Sequence, residues 1–287
     1  MKVAISFICI LFLLASSCTK SSNSNSKSSS IDSTYLPKTE LSYFYDSTGT
    51  TVTDSATASW TYDSQRRLLT YYWKRGSLLD TTVYTYSSTQ STYYFSSTYL
   101  PNISSVNYTF YLSPQGQPDS SIATHFNTPP ASTYITYSYY DYDASGNDTA
   151  IQSYLWMNDQ KLFSGRVVNT YSNNVLTSST SFLPDNSKTS TYLYSGGNIL
   201  SDTVYLTGAT LLSETYTYTT TPSGGFYGQG AFHAQLIDSY TQTNYQTPAS
   251  SYYNKYGYTF DTYNRVSTAT LKNAAGIIVE KDTYTYY

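Results

Sequence analysis

From Leu41 to Tyr287 aromatic and hydroxyl-bearing residues alternate, most plainly at Thr215-Tyr216-Thr217-Tyr218 and Thr283-Tyr284-Thr285-Tyr286. A period of two places Tyr on one face of a strand and Thr on the other. Short polar turns break the alternation, among them Lys74-Arg75-Gly76, Pro184-Asp185-Asn186, Thr207-Gly208 and Lys272-Asn273-Ala274-Ala275-Gly276. Turns this short join only antiparallel neighbours, so the pattern predicts a meander of hairpins. An exposed face of Tyr would be a liability. The sheet is therefore expected to curl and bury its rings.

The strands are organised by a repeat. Its anchor, aromatic-x-aromatic followed by Asp or Ser, stands at Trp60-Thr61-Tyr62-Asp63, Tyr84-Thr85-Tyr86-Ser87, Tyr192-Leu193-Tyr194-Ser195 and Tyr258-Thr259-Phe260-Asp261. Weaker copies centre on Tyr45, Phe110, Tyr142, Tyr171 and Tyr218, and the chain ends on Tyr284-Thr285-Tyr286. The spacing is near 24 residues with two insertions, as in a repeat array. Eleven residues after Tyr62, Tyr171, Tyr194 and Phe260 stand Trp73, Phe182, Tyr205 and Leu271, and this shared position is expected to face the core. In the turn after the anchor, Asp63 or Asp261 can accept a backbone N–H two residues on. Gly49, Gly146 or Asn264 can take the positive φ there, a place that Arg66 fits poorly.

Composition agrees with strands. The 287 residues include 36 Tyr and only 11% charged side chains, while the helix formers Leu, Glu, Lys and Ala are scarce. The balance of charge is weakly acidic, with no basic run beyond Arg66-Arg67 and Lys74-Arg75, so no nucleic-acid partner is expected.

Tyr-x-Tyr-Asp-x-x-x-Arg-Leu, then a Gly-containing turn and Thr-x-Tyr-x-Tyr, resembles the YD-repeat (RHS-like) family. Tyr62-Asp63 through Arg67-Leu68 and Phe260-Asp261 through Arg265-Val266 are the fullest copies. The resemblance implies an all-β fold, an antiparallel meander of repeated hairpins with a curled or solenoid-like sheet. A transmembrane barrel would need an aliphatic outer band, whereas Ser and Thr fill the face opposite Tyr.

The amino terminus reads as an export signal. Lys2 precedes an apolar run from Val3 to Leu14, too short to span a bilayer, and Ala15-Ser16-Ser17 offers small residues for cleavage. Leu14-Ala15-Ser16-Ser17-Cys18 resembles a lipobox, which makes Cys18 the candidate lipid-attachment residue. Cys9 is the other cysteine, so the mature chain has no disulfide. The expected domains are a lipoprotein signal peptide (1–17), a Ser/Asn-rich tether (18–40) and a β-repeat domain (41–287).

Chemistry for catalysis is sparse. His125 and His233 sit in irregular stretches, no Gly-x-Ser-x-Gly elbow occurs, and Asp141 and Asp143 alternate into a turn. No enzyme activity, metal site or cofactor is expected. The long Gly-rich insertion supplies the candidate binding loop, with Phe226, Tyr227, Phe232 and His233. The sequence thus predicts a structural or adhesive surface module, or alternatively a carbohydrate-binding envelope lipoprotein. It would be held at the outer membrane or cell surface by an N-terminal lipid anchor, or else be secreted or periplasmic. Its partners would be that membrane and a glycan or another envelope protein.

Overall fold

A computed structural model describes residues 36–98, 105–127, 132–157, 159–222 and 235–287. These residues form strands throughout, apart from turns and one short 3-10 turn, Pro248–Ser250. The first six strands are β1 Pro37–Tyr45, β2 Val52–Tyr62, β3 Leu68–Arg75, β4 Leu78–Tyr86, β5 Gln90–Ser97 and β6 Ser105–Leu112. Next come β7 Pro118–Asn127, β8 Ser132–Tyr142, β9 Asp148–Met157, β10 Gln160–Ser172, β11 Val175–Phe182 and β12 Lys188–Ser195. The last six are β13 Asn198–Leu206, β14 Ala209–Pro222, β15 Gln235–Asn244, β16 Tyr252–Phe260, β17 Val266–Asn273 and β18 Ile278–Tyr286.

Every strand pairs antiparallel with its neighbours in sequence, and β18 pairs with β1 through Leu41↔Thr283, Ser42↔Asp282 and Phe44↔Glu280. The eighteen strands therefore make one closed up-and-down barrel. The curled or solenoid-like sheet with two free ends is corrected on this point. A period of 24 residues is one descending and one ascending strand of the barrel, and such periodicity looks the same whether the ends stay apart or meet. Closure satisfies both edges at once, so no capping repeat is required.

Turn chemistry sets the hairpins. At Asp63, Ser113, Asp143, Leu183, Asp261 and Asn273 the same turn recurs: the residue's N–H donates to the carbonyl four residues on, and its own carbonyl accepts from the N–H three residues on. The third residue on has positive φ in each, namely Arg66, Gly116, Gly146, Asn186, Asn264 and Gly276. Arg66 adopts φ 64° there despite its side chain. The Asp63 carboxylate compensates by accepting the N–H groups of Gln65 and Arg67 at 2.8 and 2.9 Å.

The two walls differ in chemistry. Inward positions include Ala56, Ala58 and Trp60 of β2, Tyr93 and Phe95 of β5, Val106 and Phe110 of β6, Ala123 of β7, and Tyr140 and Ile151, all buried. Those from Tyr93 to Ile151 form one cluster over β5–β9, and Leu236, Val266, Ala269 and Tyr284 form a second over β15–β18. Outward rows are largely Thr and Ser, and they bond across strands at Thr39–Thr285, Thr61–Thr70 and Thr259–Thr268, each 2.6 Å.

The shared position eleven after the anchor does not hold one face. Trp73 and Leu271 point inward, but Phe182 is on the outer wall opposite Arg166 and Tyr205 follows the inward Val204. The hairpins after Tyr171 and Tyr194 turn tightly at Asn173-Asn174 and Gly196-Gly197, residues that all have positive φ. Those turns shorten the register by one residue, and a one-residue slip exchanges the faces.

Candidate functional site

The polar chemistry of the barrel lies on its inner wall. Inward rows place Asp202 beside Glu214 on β13 and β14, and Glu280 and Asp282 of β18 beside Phe44 and Ser42 of β1, with Glu40 next in line. Gln242 donates to Glu214 Oε1 at 2.6 Å and the Tyr216 hydroxyl to its Oε2 at 2.5 Å. Ser42 donates to Glu40 at 3.0 Å. Tyrosines fill the intervals: Tyr240 feels both Glu214 and Glu280, Tyr256 feels Glu280 and Asp282, and Tyr71 feels Glu40 and Asp80. These acids and rings form one continuous belt from β13 through the β18–β1 seam to β4.

Burial governs the charge of this belt. Desolvation, then the neighbouring Asp282, pushes Glu40 up to about 7, and desolvation with Asp282 does the same for Glu280. Asp202 rises to about 7 through burial and the facing Glu214. Asp148, only 2% exposed, also reaches about 7 through burial and Asp141. Arg75 is the cation facing the belt; it is bound to Asp54 at 2.6 Å and its guanidinium lies over Phe44. Asp148, Asp202 and Asp282 each keep one carboxylate oxygen buried without a hydrogen-bond partner. A buried unpaired acceptor is costly, and a donor brought from outside would relieve it.

Cys18, Phe226, Tyr227, Phe232 and His233 lie outside the described residues, although Pro222 and Gln235, which bracket the loop, pair at the end of the barrel that carries the termini. His125 is not in an irregular stretch. It sits on the inner face of β7, stacked on Tyr134 at 4.3 Å, and burial lowers it to about 4. Asp141 faces outward on β8 while Asp143 closes the following turn. The acidic belt was missed because its members are single acids far apart in sequence, brought together by register. Its one sequence signal is an acid in a Tyr-bearing row of a strand, as at Glu214-Thr215-Tyr216 and Asp282-Thr283-Tyr284.

The Asp-x-x-x-Arg motif proves to be architecture. Arg67 and Arg265 bond Asp63 and Asp261, and their guanidinium groups lie over Tyr86 and Tyr286 at 4.4 and 4.5 Å. Those tyrosines donate to the carbonyls of Leu68 and Val266 at 2.8 Å. A shallow cleft of about 230 Å³ beside this motif is lined by Leu36, Thr61, Tyr62, Asp63 and Tyr287.

Fold and site together define a closed, up-and-down β-barrel with an acid- and tyrosine-lined interior. Among the described residues no three His, Cys, Asp or Glu side chains converge on a metal position. No family model and no curated protein matches the chain. Among solved structures it is similar to a porin-like protein from Bacteroides uniformis ATCC 8492, with 16% identity, TM-score 0.48, and coverage of 88% of this chain and 98% of that one. A porin-like protein from Bacteroides vulgatus ATCC 8482 gives 12% identity, TM-score 0.44, and coverage of 88% and 99%. TcdB2-TccC3-TEV gives 11%, TM-score 0.27, and coverage of 83% of this chain but 15% of that one.

The barrel corrects the remaining expectations. An eighteen-strand closed wall stands where a YD-repeat array was expected, and strands joined edge to edge leave no open repeat surface. A structural or adhesive repeat module, or a glycan-binding one hung from the membrane solely by an N-terminal lipid, is accordingly set aside. An outer-membrane or cell-surface location accords with a closed antiparallel barrel.

Proposed function

We propose that this protein is an exported, non-enzymatic barrel of the outer membrane or cell surface that binds an amine-bearing cationic solute along its inner wall. Residues 1–17 as the export signal, and Cys18 as an acylated residue supplementary to the barrel, belong to the same proposal. The observation that carries it is the inner belt of carboxylates, two of which, Asp202 and Asp282, keep a buried unpartnered oxygen, facing tyrosine rings. Ammonium groups donate several hydrogen bonds and are attracted to aromatic faces. The acids are spread over β13, β14, β18 and β1 and do not converge, which suits an extended polyamine better than a metal ion.

Spermidine titrated calorimetrically into the mature protein is the test. Glu40, Glu280 and Asp202 hold protons below about pH 7, so binding should be at least tenfold tighter at pH 8 than at pH 5.5. Glu280→Gln should weaken it about tenfold at pH 8, the size expected for one buried charge-assisted contact. Asp238→Asn, next to Lys255 on β16, should leave it unchanged. Absence of binding at pH 8, or binding indifferent to Glu280→Gln, would refute the reading.

A further inference from the structure

The barrel end opposite the termini carries an apolar rim. The β9–β10 hairpin leads it, with Trp156, Met157, Leu162 and Phe163 each 37–47% exposed within eight residues. Pairing fixes their faces: Trp156↔Lys161 and Tyr154↔Phe163 point outward, while Met157↔Gln160 and Leu155↔Leu162 share the inner parity. The tip is thus apolar on both faces. It also overhangs, because the last rung of β10 with β11 is Arg166↔Phe182 and residues 160–165 run on beyond it. The next two hairpins at that end each add an exposed leucine, Leu183 at 45% and Leu206 at 50%.

Hydrophobic side chains on both faces of a hairpin tip are suited to immersion rather than to one docking groove. The overhanging edge is also guarded against pairing with another strand. The register shifts between Phe163 and Gly165, a Cβ on Gly165 would come within 2.4 Å of the Phe182 carbonyl oxygen, and Lys161 stands on the free stretch. Bulges and lysines are the devices that blunt edge strands. Lys161 sits over Tyr139 and Tyr154 at 4.2 and 4.3 Å and bonds the Tyr139 hydroxyl at 2.8 Å, just behind the tip. Its charge complements lipid phosphates, and Trp and Tyr favour the same headgroup level.

We infer that the β9–β10 tip, with Leu183 and Leu206 beside it, inserts shallowly into a lipid surface and seats the barrel on its membrane. The inference is independent of what the inner wall binds.

The test uses the full mature chain and phosphatidylcholine vesicles containing phosphatidylglycerol, with or without brominated acyl chains. Trp60 and Trp73 face inward, so Trp156 is the reporter. Vesicles should shift its emission to the blue, and brominated lipid should quench it by about half; Trp156→Phe should abolish the quenching. Leu162→Ser with Phe163→Ser should reduce quenching at least fivefold while the strand signal in circular dichroism persists. An acylated N-terminus would bring all variants to the vesicle alike, so depth at Trp156 isolates the rim. Unquenched Trp156 in vesicle-bound protein would overturn the inference. So would a wild-type dimer that the double variant converts to monomers, since the rim would then cover a second copy.

Discussion

At the scale of residues, the tyrosine hydroxyl explains why this ring outnumbers Phe. Tyr86, Tyr142, Tyr258 and Tyr286 near the ends of descending strands donate to Leu68, Pro118, Ile237 and Val266 at 2.7–2.8 Å, and Tyr218 does the same to Ile199. Each acceptor lies near the start of the preceding strand, next to the turn that leads into it. Tyr86→Phe and Tyr286→Phe should each cost about 1 kcal/mol in urea unfolding, the net worth of one hydrogen bond, and the costs should add because the rings lie on β4 and β18. A neutral result at both would show the hydroxyls to be solvated bystanders. The recurring Tyr and the Asp-led turn were legible in the sequence. The carbonyl that each hydroxyl reaches was not, because it belongs to the neighbouring strand.

At the scale of strands, sequence disclosed the elements better than their faces. Alternation located antiparallel hairpins, and the anchors at Tyr62, Tyr86, Tyr142 and Phe260 do end strands. Which side a residue takes depended on whether its hairpin turned in two residues or in five. Phe95→Ala, at 6% exposure inside the larger cluster, should cost roughly 3–5 kcal/mol. Phe182→Ala removes a ring that rests under Arg166 on the outer wall and should cost below about 1 kcal/mol. Equal losses in chemical denaturation would mean that the walls are assigned the wrong way round.

For the whole molecule, closure was the property that no local pattern could announce, since it is a relation between β1 and β18 alone. Closure also assembles the acids, and this predicts an unusual stability profile. Glu40, Glu280, Asp148 and Asp202 bind protons up to about pH 7 when folded, whereas the unfolded chain releases them near its ordinary carboxylate values. Between those limits the folded state holds more protons, so stability falls as pH rises. Asp54, Asp143 and Asp185 oppose this at the acid end: hydrogen bonds from Arg75, Asn147 and Ser187 hold them low, and their contribution disappears as pH falls below the usual carboxylate range. The melting temperature should therefore be higher at pH 5 than at pH 8, by on the order of 5 °C. A flat profile, or a rise towards pH 8, would show that the inner acids are hydrated and charged.

The β1–β18 seam also bears on how the chain reaches its fold. Every other rung forms between strands that follow one another, so hairpins can zip as soon as they are made. Local pairings of this kind form quickly, whereas a pairing of remote segments must overcome the entropy of the whole intervening loop. The first strand keeps an unsatisfied edge until the last one arrives, and during that interval it can capture any passing strand. A chain delivered from its amino terminus consequently cannot close its barrel before β18 has been handed over, and its period of greatest exposure lasts until that strand arrives.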